Sequence, residues 1–362
     1  RSRRTWRGLS ADFGVGVGRV PGAGCRVPLA ATFSGVLAID TTPLRRPRRA
    51  PAALALALVV GVVCTAGILI AARRVVDDVP RVDGVAAQLS SPSATVDNYL
   101  LVGSDSRDLG DPNTGEGSGD IGNRSDTIMV LRYDKAAGSA ALLSIPRDLY
   151  VDVDGHRGRI NGAYNDGPAE LVRVVKAALG LPIHHYVEVD FFGFKDLVDA
   201  LGGVEVCFPY PTRDFNTGLD IPVAGCHLLN GTQGLAYARS RYYEELREDG
   251  QWRTDPTSDL GRSTRQRDFV NRCLQTAVAA VKADPFRAGE LATAMMSAIR
   301  IDTALDPLDA AGSLRSAVDA GLGTYALPVY GETIDGAAVL RLGDGAETVL
   351  AYFRGTGPPP AV

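Results

Sequence analysis

In NYLLVGSDSR, residues 98–107, an apolar run ends abruptly on glycine, serine and aspartate. A short apolar run closed by turn formers fits a buried strand, because a helix needs about ten residues or more. A glycine- and acid-rich loop, Asp108–Asn123, follows. Asp126–Tyr133 and Ser139–Ile145 then read as paired strands across a turn at Asp134–Gly138. Further out, Pro168–Leu179 has helical spacing, with Leu171, Val174, Val175 and Ala178 on one face. A strand at His185–Val189, a helix at Phe192–Leu201 and a strand at Val204–Phe208 come next. Leu235–Arg241 is read as a strand, which would put Arg239 and Arg241 on one face. A long helix over about Arg262–Ala283 carries Phe269, Val270, Cys273, Leu274, Ala277 and Val281 inward. Residues 285–353 add one or two helices and terminal strands. Strands alternating with helices predict a layered α/β domain over residues 96–353.

Upstream, Ala50–Ala72 is twenty-three residues without a charge. As a helix it would span a hydrocarbon core of about 30 Å. Arg45, Arg46, Arg48 and Arg49 precede it, so the N-terminus is expected in the cytoplasm and everything after it outside. Residues 1–49, rich in Gly, Pro and Arg, read as a disordered cytoplasmic tail, 73–95 as a juxtamembrane linker and 354–362 as a tail. Residues 1–74 carry twelve arginines against two aspartates, which leaves −14 for the rest. That split excludes a uniformly basic nucleic-acid binder. Cys207 and Cys226 flank a Pro/Gly/Asn-rich excursion. A disulfide there would close the loop and contribute about 3 kcal/mol, the alternative being two separate thiols. Four histidines and no Cys-x-x-Cys argue against zinc.

Asp105 and Asp126 stand at adjacent strand ends, where two carboxylates suit a hard divalent cation shared with phosphate oxygens. Arg147 follows an apolar strand directly, and Arg159 opens a second polar stretch. Eight arginines fall between 239 and 272. Four of them (Arg247, Arg253, Arg267, Arg272) read as a solvated face beside acidic neighbours. On a helical wheel, Arg262, Arg265 and Gln266 lie beside Phe269 and Cys273, on the core side. Cations buried there need an anion, and a pyrophosphate suits guanidinium forks. Phosphoryl transfer asks mainly for charge neutralisation and alignment.

These blocks, GSDSR at 103–107, RSDT at 124–127, SIPRDLYV at 144–151, RINGAYNDGP at 159–168 and the run from Leu229 to Val270, resemble the signature blocks of LytR–CpsA–Psr (LCP) proteins. The resemblance covers about 98–283, behind the expected single membrane helix. It implies an α/β/α sandwich around a central mixed β-sheet, with an apolar cleft for a polyprenyl chain. It further implies a Mg²⁺- (or Mn²⁺-) dependent phosphotransferase that moves a glycan polymer from a polyprenyl-pyrophosphate carrier to a peptidoglycan acceptor. Matched residue by residue, Asp105 and Asp126 would hold the metal. Arg124, Arg147, Arg239, Arg241, Arg262 and Gln266 would bind the pyrophosphate, with Arg159 and Arg265 beside them. Asp105, Asp126, Arg147, Arg239 and Arg241 form the expected catalytic set. Two rival readings stay open: a pyrophosphate hydrolase using water, and a non-catalytic lipid-glycan-binding regulatory membrane protein.

Overall fold

The computed structural model describes residues 79–104, 125–153, 155–284, 287–307, 309, 310, 312, 317 and 321–360, with positions 126 and 288 described in the backbone alone. The expected tail and membrane helix, Asp105, Arg124 and the Asp126 side chain therefore lie outside the described residues. Among the described residues no helix is long and apolar enough to cross a membrane.

The six strands β1 (Val96–Ser104), β2 (Ser125–Asp134), β3 (Ser139–Ile145), β6 (His185–Asp190), β13 (Ile299–Ile301) and β14 (Leu322–Ala326) form one mixed sheet in the order β13-β6-β1-β2-β3-β14. The centre, β1-β2-β3, is antiparallel, while β6 and β14 run parallel to β1 and β3. Both faces of this sheet are buried. Leu100, Val102, Ile128, Val130 and Leu143 pack with helices α1 (Pro168–Leu179) and α6 (Ala346–Arg354). Tyr99, Met129, Leu131 and Leu142 face the opposite way, against Met296, Ile301 and Leu305. Two buried faces explain the unbroken apolar runs Tyr99–Val102, Ile128–Leu131 and Ala140–Leu143 at the centre of the sheet. The segment from Val79 also packs onto the domain: Val82 and Val85 are buried, and Val82 N donates to Ile301 O at 2.8 Å.

A second core gathers around α4 (Ser258–Ala283), with α2 (Phe191–Ala200), α3 (Gly231–Arg239) and α5 (Arg287–Ala298). At its centre Phe269, fully buried, meets Phe194 at 5.5 Å and Tyr237 at 6.0 Å between ring centroids. Gly234 allows that approach, since a Cβ there would sit 2.6 Å from the Phe269 ring. The strand expected at Leu235–Arg241 is instead helix α3. Asn230 accepts from Gln233 N at 2.9 Å while Gln233 Oε1 accepts from Asn230 N, a reciprocal cap that starts a helix before the apolar residues begin. Arg239 closes that helix and Arg241 lies beyond it, so strand alternation does not relate them.

The smaller sheets are peripheral. Strands β7 (Val204–Phe208) and β10 (Gly225–Leu229) pair with each other, and the Cys207–Cys226 disulfide joins facing residues. The loop it closes contains the hairpin β8 (Thr212–Asp214) and β9 (Leu219–Ile221), which joins β11 (Glu244–Leu246) and β12 (Trp252–Thr254) in a four-stranded sheet. Two further hairpins are β4 (Tyr150–Val153) with β5 (His156–Arg159), and β15 (Val329–Ile334) with β16 (Ala337–Leu342).

Candidate active site

The sheet register brings together the strand ends that lead to positions 105, 126 and 147. Ser104, the last residue of β1, pairs with Ser125, the first of β2. At that same end Ile128 pairs with Ile145, the last residue of β3. Arg147 therefore leaves β3 beside the backbone that flanks positions 105 and 126. The first turns of α4 bring Asp259 and Arg262 to this point. Arg241 arrives from the segment after α3.

Three guanidinium groups converge there on one carboxylate oxygen. Asp259 Oδ1 lies 2.9 Å from Arg262 Nη2, 3.4 Å from Arg147 Nε and 3.5 Å from Arg241 Nε. The Arg262 side chain is only 2% exposed and that of Arg147 14%. Arg262 is thus buried on the core side of its helix, as the wheel requires. The first anion it meets is the protein's own. Asp259 stands three residues before Arg262, a spacing that puts both on one helical face. That spacing was the one sequence signal for it.

Asp148 extends the network. It lies 3.8 Å from Arg147 Nε and 3.4 Å from Arg159 Nε, and Arg159 Nη2 also donates to Ala338 O at 2.7 Å. A cleft of about 480 Å³ opens here, lined by Arg147, His156, Arg157, Arg159, Asn161 and Asn165. Its lining offers guanidiniums and amides, which suit an anionic or hydroxyl-rich group. Arg147 belongs to both the cleft and the Asp259 cluster.

The remaining arginines divide. Arg265, buried on the same helix, donates to Asp255 Oδ2 at 2.8 Å and Ser240 O at 2.6 Å, and its guanidinium stacks 4.5 Å over Tyr243. Burial raises the Asp255 pKa, but hydrogen bonds from Thr257 and Arg265 outweigh it and hold the carboxyl below its usual value. Arg265 thus fastens α4 to the segment before Arg241. Gln266 is buried beside it. Half-buried Arg239 sits 4.4 Å over the Phe191 ring, and among the described residues it has no ion pair. Arg247, Arg253 and Arg272 pair with Glu245, Asp249 and Asp268, the solvated face expected of them, whereas Arg267, expected beside them, is half-buried and its pKa is lowered by burial.

Asp214 has no counterpart in the sequence reading. It is 1% exposed, and its Oδ2 accepts from Ser240 Oγ at 2.6 Å, Tyr242 N at 2.9 Å and Arg241 N at 3.0 Å. A single buried carboxylate thereby fixes the backbone that carries Arg241. Nothing in the stretch PTRDFNTG, residues 211–218, marks it in the sequence. Among the described residues, the one cluster of three potential metal-binding side chains is Glu205 with Cys207 and Cys226, whose sulfurs are bonded to each other.

A model of the LytR_cpsA_psr family matches residues 82–348. The chain is 42% identical over 216 residues to a probable cell wall biosynthesis protein, LcpB, of Corynebacterium glutamicum, covering 57% of this chain and 48% of that protein. It is 32% identical over 248 residues to the polyisoprenyl-teichoic acid–peptidoglycan teichoic acid transferase TagU of Oceanobacillus iheyensis, covering 66% of this chain and 69% of that protein. The chain thus spans about half the length of the first of these relatives. A solved LytR-Csp2A-Psr enzyme from Actinomyces oris superposes with a TM-score of 0.60 at 27% identity, covering 76% of this chain and 95% of that one. With a match across most of its length and the six-stranded mixed sheet in common, the chain is a member of the LytR_cpsA_psr family.

Proposed function

We propose that this protein is a phosphotransferase that moves a glycan polymer from a polyprenyl-pyrophosphate carrier onto peptidoglycan. The observation that carries this reading is the convergence of Arg147, Arg241 and Arg262 within 3.5 Å of one carboxylate oxygen. Guanidiniums held that close are already arranged around an anion, and a diphosphate offers the same forks more oxygens. The transferase named for the Oceanobacillus relative points to the same chemistry.

In the reaction, a hydroxyl oxygen of the wall sugar attacks the sugar-proximal phosphorus. A phosphodiester between glycan and wall forms, the bond to the bridging oxygen breaks, and polyprenyl monophosphate leaves. The hydroxyl proton is lost to a nearby base or solvent. Arg147, Arg241 and Arg262 spread the charge that builds on the phosphoryl oxygens. Arg239, over Phe191, contributes a further cation from the end of α3. Asp148, between Arg147 and Arg159, draws both cations to the cleft side. Asp105 and Asp126, whose flanking backbone meets at the Arg147 end of the sheet, are an oxygen donor set that fits Mg²⁺ or Mn²⁺. Such an ion, when bound, would neutralise pyrophosphate charge.

The uncharged run 50–72 would anchor the chain once in the cell membrane, with the N-terminus inside and the α/β domain, an α/β/α sandwich around the six-stranded sheet, outside. The exposed Cys207–Cys226 disulfide supports that side, since such bonds persist in oxidising surroundings. The test is a reconstituted reaction with a lipid-linked glycan, with and without peptidoglycan. The expected result is acceptor-dependent transfer, Mg²⁺-stimulated, that Arg241→Ala lowers by about 100-fold, the scale of one lost charge-stabilising donor. Polyprenyl phosphate released equally well without acceptor would replace transfer by hydrolysis.

A further inference from the structure

The four-stranded sheet β12-β11-β8-β9 turns one face inward and leaves the other open. Thr212, Asp214, Leu219 and Ile221 are buried on the inner face. On the outer face Arg213 is stacked between two rings, 3.8 Å from Trp252 and 4.6 Å from Phe215. Arg213 Nε also donates to Glu244 at 2.8 Å across the strand pair. Phe215 remains 79% exposed and Tyr242 62%. Aromatic rings gathered at one exposed, polar-rimmed face mark an interaction site.

We propose that this outer face is a sugar-binding platform that holds the donor glycan next to its diphosphate. The inference rests on the transferase reading above. Flat rings take the apolar faces of pyranose sugars, while an immobilised guanidinium and a carboxylate between them bind hydroxyls. The Arg213–Glu244 pair is locked by stacking on both sides, so it pays little ordering entropy when sugar binds. Continuity with the phosphate site is covalent and short. Tyr242 follows Arg241, and both backbone N–H groups donate to Asp214, the residue just before Phe215. A glycan of several sugars, held by its first phosphate on Arg241 three residues before Glu244, meets this face intramolecularly, so weak stacking contacts count. A bilayer is the poorer occupant, because insertion would strip water from Arg213, Glu244 and exposed Asp220 opposite Arg213.

The experiment measures binding by the full-length chain, so turnover is not required. The probes are farnesyl diphosphate bearing one N-acetylhexosamine and the same lipid bearing six. Tryptophan fluorescence reports the face, since Trp252 and Trp6 are the two tryptophans of the chain. The six-sugar probe is expected to bind about fivefold more tightly, the equivalent of one stacked ring, and to shift the Trp252 signal. Phe215→Ala, which keeps Trp252 as the reporter, should reduce that gain. Equal affinity for both probes in the wild type, or a gain kept in Phe215→Ala, overturns the platform. Failure of either probe to bind overturns the phosphate site itself, a separate outcome. Phe215-dependent binding of a soluble peptidoglycan fragment in preference to the six-sugar donor would make the occupant the acceptor. Phe215-dependent binding to phosphatidylglycerol vesicles would make it the membrane. Either result overturns the assignment to donor glycan.

Discussion

Replacing Asp259 by Asn tests whether the arginine cluster is preorganised by its own carboxylate. At charge separations of about 4 Å and an effective dielectric near 20, each of the three pairs has a gross attraction of about 4 kcal/mol. Most of that is offset by desolvation, and the contacts differ in weight. Arg262 is 2% exposed, whereas Arg241 is 35% exposed and screened by water. The three arginines also keep other partners. Removing one member of a buried pair costs about 3–5 kcal/mol, and those partners favour the low end, about 3 kcal/mol. For a domain of this size that corresponds to a fall of about 6–12 °C in melting temperature. The asparagine variant also leaves the guanidiniums with more uncompensated charge, so inorganic pyrophosphate should bind it more tightly. The assay is a thermal melt of wild type and Asp259→Asn, with and without saturating pyrophosphate. The expected pattern is a large loss without ligand that pyrophosphate mostly restores. A variant melting within about 2 °C of wild type, or one that pyrophosphate does not stabilise further, would refute the reasoning.

Three further outcomes are expected. Asp214→Ala removes three hydrogen bonds to residues 240–242 and lets Arg241 drift, so turnover should fall about 10–100-fold; Asp214→Asn should retain part of it, and steady-state kinetics will show both. Replacing Cys207 and Cys226 by Ser opens a loop of sequence separation 19 and should cost about 3 kcal/mol, read by urea unfolding. The Asp255 carboxyl is held below its usual pKa of 3.8, so its contribution is complete above that value and is lost as pH falls through the lower folded value. The stability gap between wild type and Asp255→Asn, measured by urea unfolding, should therefore be full near neutral pH and close in acid.

Much of the fold was legible because the signals were local. Pro168–Leu179 is helical between the bounds its spacing predicts, and the β2–β3 pair forms across the expected turn. The inward placement of Arg262, Arg265 and Gln266 followed from periodicity alone, because a 26-residue helix averages out local exceptions. The segment 235–241 failed for a related reason. Its apolar residues fit a strand, but the deciding residues, Asn230 and Gln233, stand upstream and act by capping. Arginines announce an anion without saying which. Asp259 and Asp255 were hidden among the charges of the same block, and only the fold shows that one gathers three cations while the other fastens a helix.

That division of labour bears on how a cluster of like charges survives without substrate. Four arginines at the end of one sheet would repel one another and loosen the helix that carries Arg262. Asp259 and Asp148 each lie between guanidiniums, so neighbouring cations share an anion and do not face each other directly. A carboxylate, however, has one negative charge and two oxygens, and at Asp259 it is shared by three donors. A diphosphate with more charge and more oxygens can satisfy the same forks better without moving them far. Such a site would be stable with its internal carboxylates alone and would still favour a diphosphate, provided the internal carboxylate is the weaker of the two anions. The ion pairs of Asp259 are longer for Arg147 and Arg241 than for Arg262, and Asp259 thus holds most loosely the two arginines on separate chain segments.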